Sequence, residues 1–195
     1  MEAALLDRFI PTPDIRERFE TTIRAPGAVV MQVAANFDMQ SVPAVRAIFW
    51  LREALLGGKG HSPRTPQGIL EETKNLGWGV LDEQPGRSVI CGARCQPWLA
   101  EVKFSALGSQ EFAAYSAPDQ VKIAWTLEAE EIARDVTRFA QETRAVATDA
   151  DAREKFLRYW RWARFGIIAI RLLMLPAVRR TAERQWAVEL GRGRG

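Results

Sequence analysis

Residues 150–190 read ADAREKFLRYWRWARFGIIAIRLLMLPAVRRTAERQWAVEL, and this stretch carries the strongest structural signal in the chain. Its apolar side chains recur at steps of three and four, the period of one face of an α-helix. The stripe consists of Phe156, Trp160, Ala163, Ile167, Ile170, Met174, Ala177 and Val178. Thr148 is the predicted N-cap, with Asp149 and Asp151 near the positive end of the helix dipole. Pro176 is expected to kink the helix rather than end it.

A helix this long and one-sided needs a broad apolar partner surface, which the preceding strands are predicted to supply. Strands are predicted over residues 18–24, 78–83, 88–95, 111–116, 121–129 and 136–148, with a turn at 84–87. Short helices are predicted over residues 29–37, 43–55 and 66–76, and a Gly- and Pro-rich loop over 59–68. Because the strands are grouped rather than alternating with helices, we predict an α+β fold with an antiparallel sheet.

Length and composition indicate a single globular domain. The chain has 195 residues, of which 47% are hydrophobic and 26% charged. We predict one domain over residues 1–195, with 1–14 as an N-terminal extension and 190–195 as a disordered tail. The first 13 residues contain no apolar core of a secretory signal, so we expect a cytoplasmic protein.

The net charge of +3 is unevenly distributed. From Ala150 onward the sequence has eleven Lys or Arg against four Asp or Glu. We interpret this as a solvated helix face, because no nucleic-acid recognition motif accompanies it, and we predict no nucleic-acid partner. The most apolar stretch, residues 165–178, is about two-thirds of a bilayer span and contains Arg171 and Pro176, so no stable membrane insertion is expected.

The few cysteines and histidines do not predict a metal or cofactor. Cys91 and Cys95 are the only cysteines. On one strand face they would lie roughly 13 Å apart, beyond the limit of about 7 Å between the Cα atoms of a disulfide. Together with a single His61 they do not form a zinc or haem site. We predict free thiols, no metal and no cofactor.

Several stretches together resemble bacterial members of the START-like, or SRPBCC, superfamily, the polyketide cyclase/dehydrase and lipid-transport group. The resemblance lies in Arg24-Ala25-Pro26, the strand containing Trp125, Glu142-Thr143-Arg144, residues 147–153 (ATDADAR) and residues 156–160 (FLRYW). It implies a helix-grip fold, in which a curved antiparallel sheet wraps around a long C-terminal helix and leaves an apolar cavity. It implies no catalytic motif that could be transferred to this chain.

Alternation along two strands predicts which side chains face that cavity. Residues 121, 123, 125, 127 and 129 are apolar while their neighbours are mostly polar, so this set is expected to face the long helix. In the next strand the inward set includes two polar side chains, Gln141 and Thr143, which need hydrogen-bond partners from a ligand, the backbone or water. Glu142 and Arg144 fall on the opposite face, where we expect an exposed ion pair.

The predicted cavity wall combines these inward residues with neighbouring aromatic side chains. It comprises Trp78, Phe112, Tyr115, Ile123, Trp125, Phe139, Gln141, Thr143, Trp160 and Ile167. We predict binding, transport or sequestration of a hydrophobic small molecule, a lipid or an aromatic polyketide-like compound. The alternatives are a cyclase or dehydratase acting on such a ligand and a ligand-free interaction protein. We favour binding over catalysis, and assign no catalytic residue, because no inward acid, His or Lys is evident.

A second apolar line on the long helix predicts a homodimer. Phe165, Ile168, Leu172 and Leu175 follow one another at steps of three, four and three, the spacing of a coiled-coil seam. Four large apolar side chains in a row are unusual at the surface of a monomer, so we expect another segment or molecule to bury them. Either two copies pair through it, which we favour, or the N-terminal segment with Leu5, Leu6, Phe9 and Ile10 folds back over it.

Overall fold

The computed structural model describes residues 5–38 and 68–192. Within these ranges the elements are β1 (Ile15–Ile23), α1 (Gly27–Ala35), α2 (Ile69–Asn75), β2 (Gly79–Gln84), β3 (Ser88–Cys95), α3 (Ser109–Ala114), β4 (Val121–Ala133), β5 (Val136–Ala147) and α4 (Ala150–Arg192). The predicted helix over residues 43–55 and most of the loop over 59–68 lie outside the described residues.

The strands of the described residues form one antiparallel sheet in the order β1-β5-β4-β3-β2. Directly paired residues of antiparallel neighbours point to the same face. The register pairs Thr143 with Trp125 and Trp125 with Cys91, so these three residues share the inner face, which packs against α1 and α4. The predicted fold class is confirmed: this is an α+β protein of the helix-grip type, with an antiparallel sheet and a long C-terminal helix.

The hairpin between β2 and β3 follows the prediction closely. The Arg87 N–H donates to the Gln84 carbonyl over 2.9 Å. Gly86 has a φ of 73°, a left-handed conformation that glycine adopts without steric cost. The Pro-Gly pair in the sequence therefore identified a real turn.

Helix α4 begins at Ala150 and is capped by Asp149 rather than by Thr148, which corrects the predicted N-cap. Asp149 Oδ1 accepts a hydrogen bond of 2.8 Å from the Ala152 N–H, which satisfies one of the free donors of the first turn. This bond and a second from the Asp119 N–H hold the pKa of Asp149 below its ordinary value. The Thr148 hydroxyl instead bonds the backbone of Gln120.

The helix is continuous through Pro176 and ends at Arg192, past residue 190 where the sequence predicts the tail to begin. None of the helices in residues 5–38 and 68–192 combines the length and hydrophobicity needed to cross a bilayer.

Helix α4 is anchored to the sheet near its two ends. At the N-terminal end Phe156 packs with Val121 and Ala145. Farther along, Met174 and Val178 belong to a larger cluster that includes inner-face residues of the sheet. Residues 157–173 between these anchors include no fully buried side chain. The middle of α4 therefore lies over the inner face without being fully packed into the core.

The N-terminal segment covers part of the outer face of the sheet, whereas Arg18, Glu20 and Thr22 of β1 stay exposed on that face. Leu6, Phe9 and Ile10 pack in a cluster that includes Ile90 of β3 and Phe112 of α3. This placement also corrects the fold-back alternative, because the N-terminal segment lies on the sheet and not over the second apolar line of α4.

Helix α3 replaces the strand predicted over residues 111–116. Ser109–Ala114 is helical, and Phe112 is fully buried, with its ring 6.2 Å from that of Phe9. Six residues are too few for their pattern to separate a strand from a helix, and here the burial of Phe112 on the outer face decided the outcome.

Glu142 and Arg144 form the centre of a buried ion network, which corrects their predicted exposure. Each is only 2% exposed. Arg144 Nε lies 2.6 Å from Glu142 Oε1, and Arg144 Nη1 contacts Asp7 Oδ1 at 2.7 Å and the Ile10 carbonyl at 2.8 Å. Two further arginines of β1, Arg16 and Arg18, bind the same glutamate at 3.0 and 3.1 Å.

The network keeps Glu142 ionised despite its burial. Burial alone would raise the pKa of this carboxyl, but the hydrogen bonds from Arg144, Arg16 and Arg18 outweigh it and lower the pKa below its ordinary value. The charges that the sequence suggested would stay in water are instead satisfied inside the protein.

We expect Glu142→Gln to lower the free energy of unfolding by about 3 kcal/mol, because it leaves Arg144 buried without its main counter-charge. The wild-type contribution of Glu142 is complete above the unfolded carboxyl pKa of about 4.3. It is lost as the pH falls through the lower pKa of the folded protein. The wild type should therefore lose this stabilisation in acid, whereas the variant has no such stabilisation to lose. Urea unfolding between pH 3 and 7 measures both effects.

Glu130→Gln is the matched control, since Glu130 forms an exposed ion pair with Arg138 on the same face of the sheet. It should change stability little. Equal losses for the two variants would contradict the buried network.

Candidate functional site

The floor of the candidate site is the middle of the inner face, under α4. Thr143 and Gln141 of β5 point to this face, next to Trp125 and Leu127 of β4. Phe19 of β1 pairs with Gln141 on the other side. The alternation of β5 thus places two polar side chains in an otherwise apolar surface.

Arg171 of α4 faces this floor. Its Nη2 donates a hydrogen bond of 2.6 Å to Thr143 Oγ1. Its guanidinium carbon lies 5.9 Å from the centre of the Phe19 ring. The other terminal nitrogen, Nη1, is buried and has no hydrogen-bond partner among residues 5–38 and 68–192.

The charge of Arg171 is poorly compensated. Burial lowers the pKa of this arginine to about 10, and the negative charge of Glu17, which acts in the opposite direction, only partly offsets the effect. No ion pair links Arg171 to a carboxylate of the described residues. At neutral pH the guanidinium is still protonated, so the inner face presents an available positive charge.

Gln141 adds a second unsatisfied group to the same face. Its Oε1 is buried and accepts no hydrogen bond from the part of the chain that the structure describes. Gln141 and Thr143 are two residues apart on one strand face, a separation of roughly 7 Å. Buried polar atoms are nearly always paired in folded proteins, so these two unpaired atoms are exceptions that need an explanation.

The structure gathers most of the predicted wall residues on the inner face. Trp125 and Phe139 lie in the main core cluster, with Trp78 packed against it. Ile123 and Trp160 lie near the N-terminal anchor of α4, where the Trp160 ring is 6.2 Å from that of Phe156. Ile167 is half-buried on the middle of α4.

Two predicted wall residues, Phe112 and Tyr115, lie on the opposite side of the sheet. Phe112 is buried beneath the N-terminal segment, and the Tyr115 ring lies 5.4 Å from the guanidinium of Arg94. Because residues 109–114 form a helix rather than a strand, these aromatic side chains do not reach the inner face.

Arg171 is the functional candidate that the sequence prediction missed. The signal was present, because Arg171 follows Ile167 by four residues and precedes Met174 by three, within the apolar stripe of α4. A charged residue at a core position of an amphipathic helix indicates either a buried counter-charge or a ligand.

The predicted dimer residues do not share one environment. Phe165 and Leu172 are 60% and 59% exposed, and Ile168 is half-buried. Leu175 is only 6% exposed and packs in the main core, so it is not part of a surface line. Trp162, which the sequence prediction left out, is 76% exposed on this helix.

The two cysteines occupy the inner face and are not bonded to each other. Cys91 and Cys95 are both buried. Burial raises the pKa of each thiol to about 12. Within residues 5–38 and 68–192 no three His, Cys, Asp or Glu side chains come together as a metal site, and His61 lies outside these ranges.

No protein-family model and no curated protein matches this sequence. Among solved structures, the chain is similar to the Zhui aromatase/cyclase from Streptomyces sp. R1128. The two are 14% identical, and the match covers 88% of this chain and 94% of that chain with a TM-score of 0.36. At this identity the likeness concerns the fold alone, and it transfers no residue role.

We expect Cys91 and Cys95 to react with iodoacetamide at neutral pH at least about a hundredfold more slowly in the native protein than in the denatured chain. The reason is that raised thiol pKa values and burial leave few accessible thiolates. Mass spectrometry of time points measures the rates. Without reductant, the denatured chain should take up two labels, and a mass lower by two protons would contradict the predicted free thiols.

Proposed function

We propose that the protein binds a hydrophobic small molecule, a lipid or an aromatic polyketide-like compound, between the inner face of the sheet and α4. The observation that carries this proposal is the pair of unpaired buried polar atoms, Arg171 Nη1 and Gln141 Oε1. They lie in an apolar setting under the part of α4 that is not fully packed. Such a mixture, mostly apolar with a few orienting polar groups, is typical of ligand sites.

The apolar part of the ligand would contact Trp125, Phe19 and Ile167, while the polar groups would fix its orientation. Two free and buried thiols suit a reducing compartment, which supports a cytoplasmic location. Transport and sequestration both require only binding and release, and they remain the roles that this arrangement supports.

A cyclase or dehydratase is the second candidate function. It requires a titratable group at the wall with a perturbed pKa, and Arg171 is such a group. A guanidinium with a pKa of about 10 stays protonated at neutral pH, so it would stabilise an oxyanion rather than remove a proton. The base would have to be Glu17, which pairs with Thr143 in the sheet register. Because binding requires no such additional group, we favour it.

We expect ligand binding to raise the melting temperature by about 5 to 10 °C. This is the shift expected from about 2.7 kcal/mol of stabilisation, when the ligand concentration is a hundred times its Kd. A melting screen of fatty acids, sterols and flavonoids, with native mass spectrometry of the purified protein, tests this. Trp125→Leu should reduce the shift because Trp125 is on the inner face, whereas Trp162→Leu, on the exposed side of α4, should not. Flat melts throughout the screen and an empty protein by mass would overturn the proposal.

The homodimer also stays a proposal, on a surface formed by Phe165, Ile168 and Leu172 together with Trp162. Sedimentation at micromolar concentration should show a dimer that strengthens with salt, because Arg161 and Arg164 next to this line repel their copies. Leu172→Asp should give a folded monomer, and Leu190→Asp, exposed farther along the same helix, should remain dimeric. A wild type that sediments as a monomer would rule this assembly out.

A further inference from the structure

We infer that the ligand carries a carboxylate, which binds Arg171 beside Thr143, and that the apolar remainder of the ligand lies along the inner face. This inference rests on the proposed function and specifies the chemistry of the ligand. It derives from how differently two arginines, Arg144 and Arg171, are paired.

Arg144 shows what a structural buried arginine looks like in this chain. Its guanidinium contacts Glu142, Asp7 and the Ile10 carbonyl, so the positive charge is matched by two carboxylates and a backbone oxygen. Burying a cation is tolerated because these partners replace the water it has lost. The guanidinium of Arg144 therefore needs no ligand to balance its charge.

Arg171 is half-buried on the other face without such partners. Among residues 5–38 and 68–192, its hydrogen bond goes to a neutral hydroxyl, that of Thr143. Its Nη1 atom is buried and has no partner among these residues. A guanidinium has five N–H donors in a planar fork, so most of its binding capacity is unused here.

Within residues 5–38 and 68–192, the groups around Arg171 supply no paired negative charge. The inner-face neighbours from β5 and β4 are Thr143, Gln141 and Trp125, all uncharged. From β1 come Phe19, under the guanidinium, and Glu17, whose charge acts on Arg171 without an ion pair being formed. The part of α1 that packs into the core is apolar. The described part of the chain thus gives Arg171 no paired negative charge, and an anionic ligand would supply one.

A carboxylate fits this position better than the other common anions. Its two oxygens match the fork of a guanidinium, and its single charge balances the single cation. A phosphate monoester would bring up to two charges at neutral pH, and the second would be buried without compensation. The unpaired Gln141 Oε1 can additionally accept a hydrogen bond from a hydroxyl group on the ligand.

The test compares acids with alcohols of the same shape. Dodecanoic acid against dodecan-1-ol represents lipids, and 2-naphthoic acid against 2-naphthalenemethanol represents aromatic compounds. Affinities at pH 8 are measured by titration calorimetry on the wild-type protein. We expect the acid of at least one pair to bind at least about tenfold more tightly than its alcohol, since charge-assisted hydrogen bonds are stronger than neutral ones.

Variants then assign the preference to Arg171. Arg171→Met and Arg171→Gln should remove the tenfold preference for the acid and change the affinity for the alcohol by less than about threefold. Arg164→Met, an exposed arginine of the same helix, is the charge-matched control and should keep the preference. Because the wild-type charge is uncompensated, neither Arg171 variant should melt below the wild type when both are free of ligand.

The outcomes separate this inference from the proposed function. If the wild type binds acid and alcohol equally, or if both Arg171 variants keep the preference, the carboxylate site is wrong and hydrophobic ligand binding stands. If neither member of either pair binds, and the wider melting screen is also flat, the proposed function fails and this inference fails with it. Loss of the preference in both Arg171 variants but not in Arg164→Met supports the site.

Discussion

The ion pair between Glu142 and Arg144 allows both faces of β5 to be buried. Strand alternation places these charges on the outer face and Gln141 with Thr143 on the inner face. An unpaired charge under the N-terminal segment would be costly. Glu142, however, forms ion pairs with three arginines, and Arg144 also contacts the Asp7 carboxylate and the Ile10 carbonyl. The same contacts hold the N-terminal segment against the sheet. The N-terminal segment thus covers part of the outer face, while the inner face contacts α1 and α4.

Most of the unpaired buried atoms in the described residues lie on the inner face. Two of the three buried side-chain atoms without partners in the described residues are Arg171 Nη1 and Gln141 Oε1. The fold pairs every charged group in the network around Glu142, so the protein is able to satisfy buried charges where they serve stability. The incomplete pairing of Arg171 is the observation on which the proposed binding role rests.

The way α4 is anchored complements this chemistry. Its fully buried side chains lie at Ala152 and Phe156 and again from Met174 to Ala182, with half-buried or exposed residues between. Two anchors fix the distance between helix and sheet, and the side chains between them do not need to fill the space completely. Arg171 lies just before the second anchor, where its backbone is held firmly and its guanidinium reaches Thr143.

Much of the fold was predictable from local patterns. The period of three and four identified α4, and alternation in β4 and β5 identified the inner face with Trp125, Gln141 and Thr143. The turn at Gly86 followed from its Pro-Gly sequence. These features depend on neighbours in the chain, and for that reason the sequence alone determined them. The same patterns were ambiguous for residues 111–116, which are too short to show a period.

The tertiary structure decided what lies opposite each face. Alternation shows that Glu142 and Arg144 share a face, but it does not reveal that Leu6, Phe9 and Ile10 cover that face from more than 120 positions away in the sequence. Likewise, the helical period places Arg171 in the inward stripe, yet only its contacts show that Arg171 lacks the carboxylates that Arg144 has. Burial and charge compensation depend on residues distant in sequence, so they exist only in the folded chain.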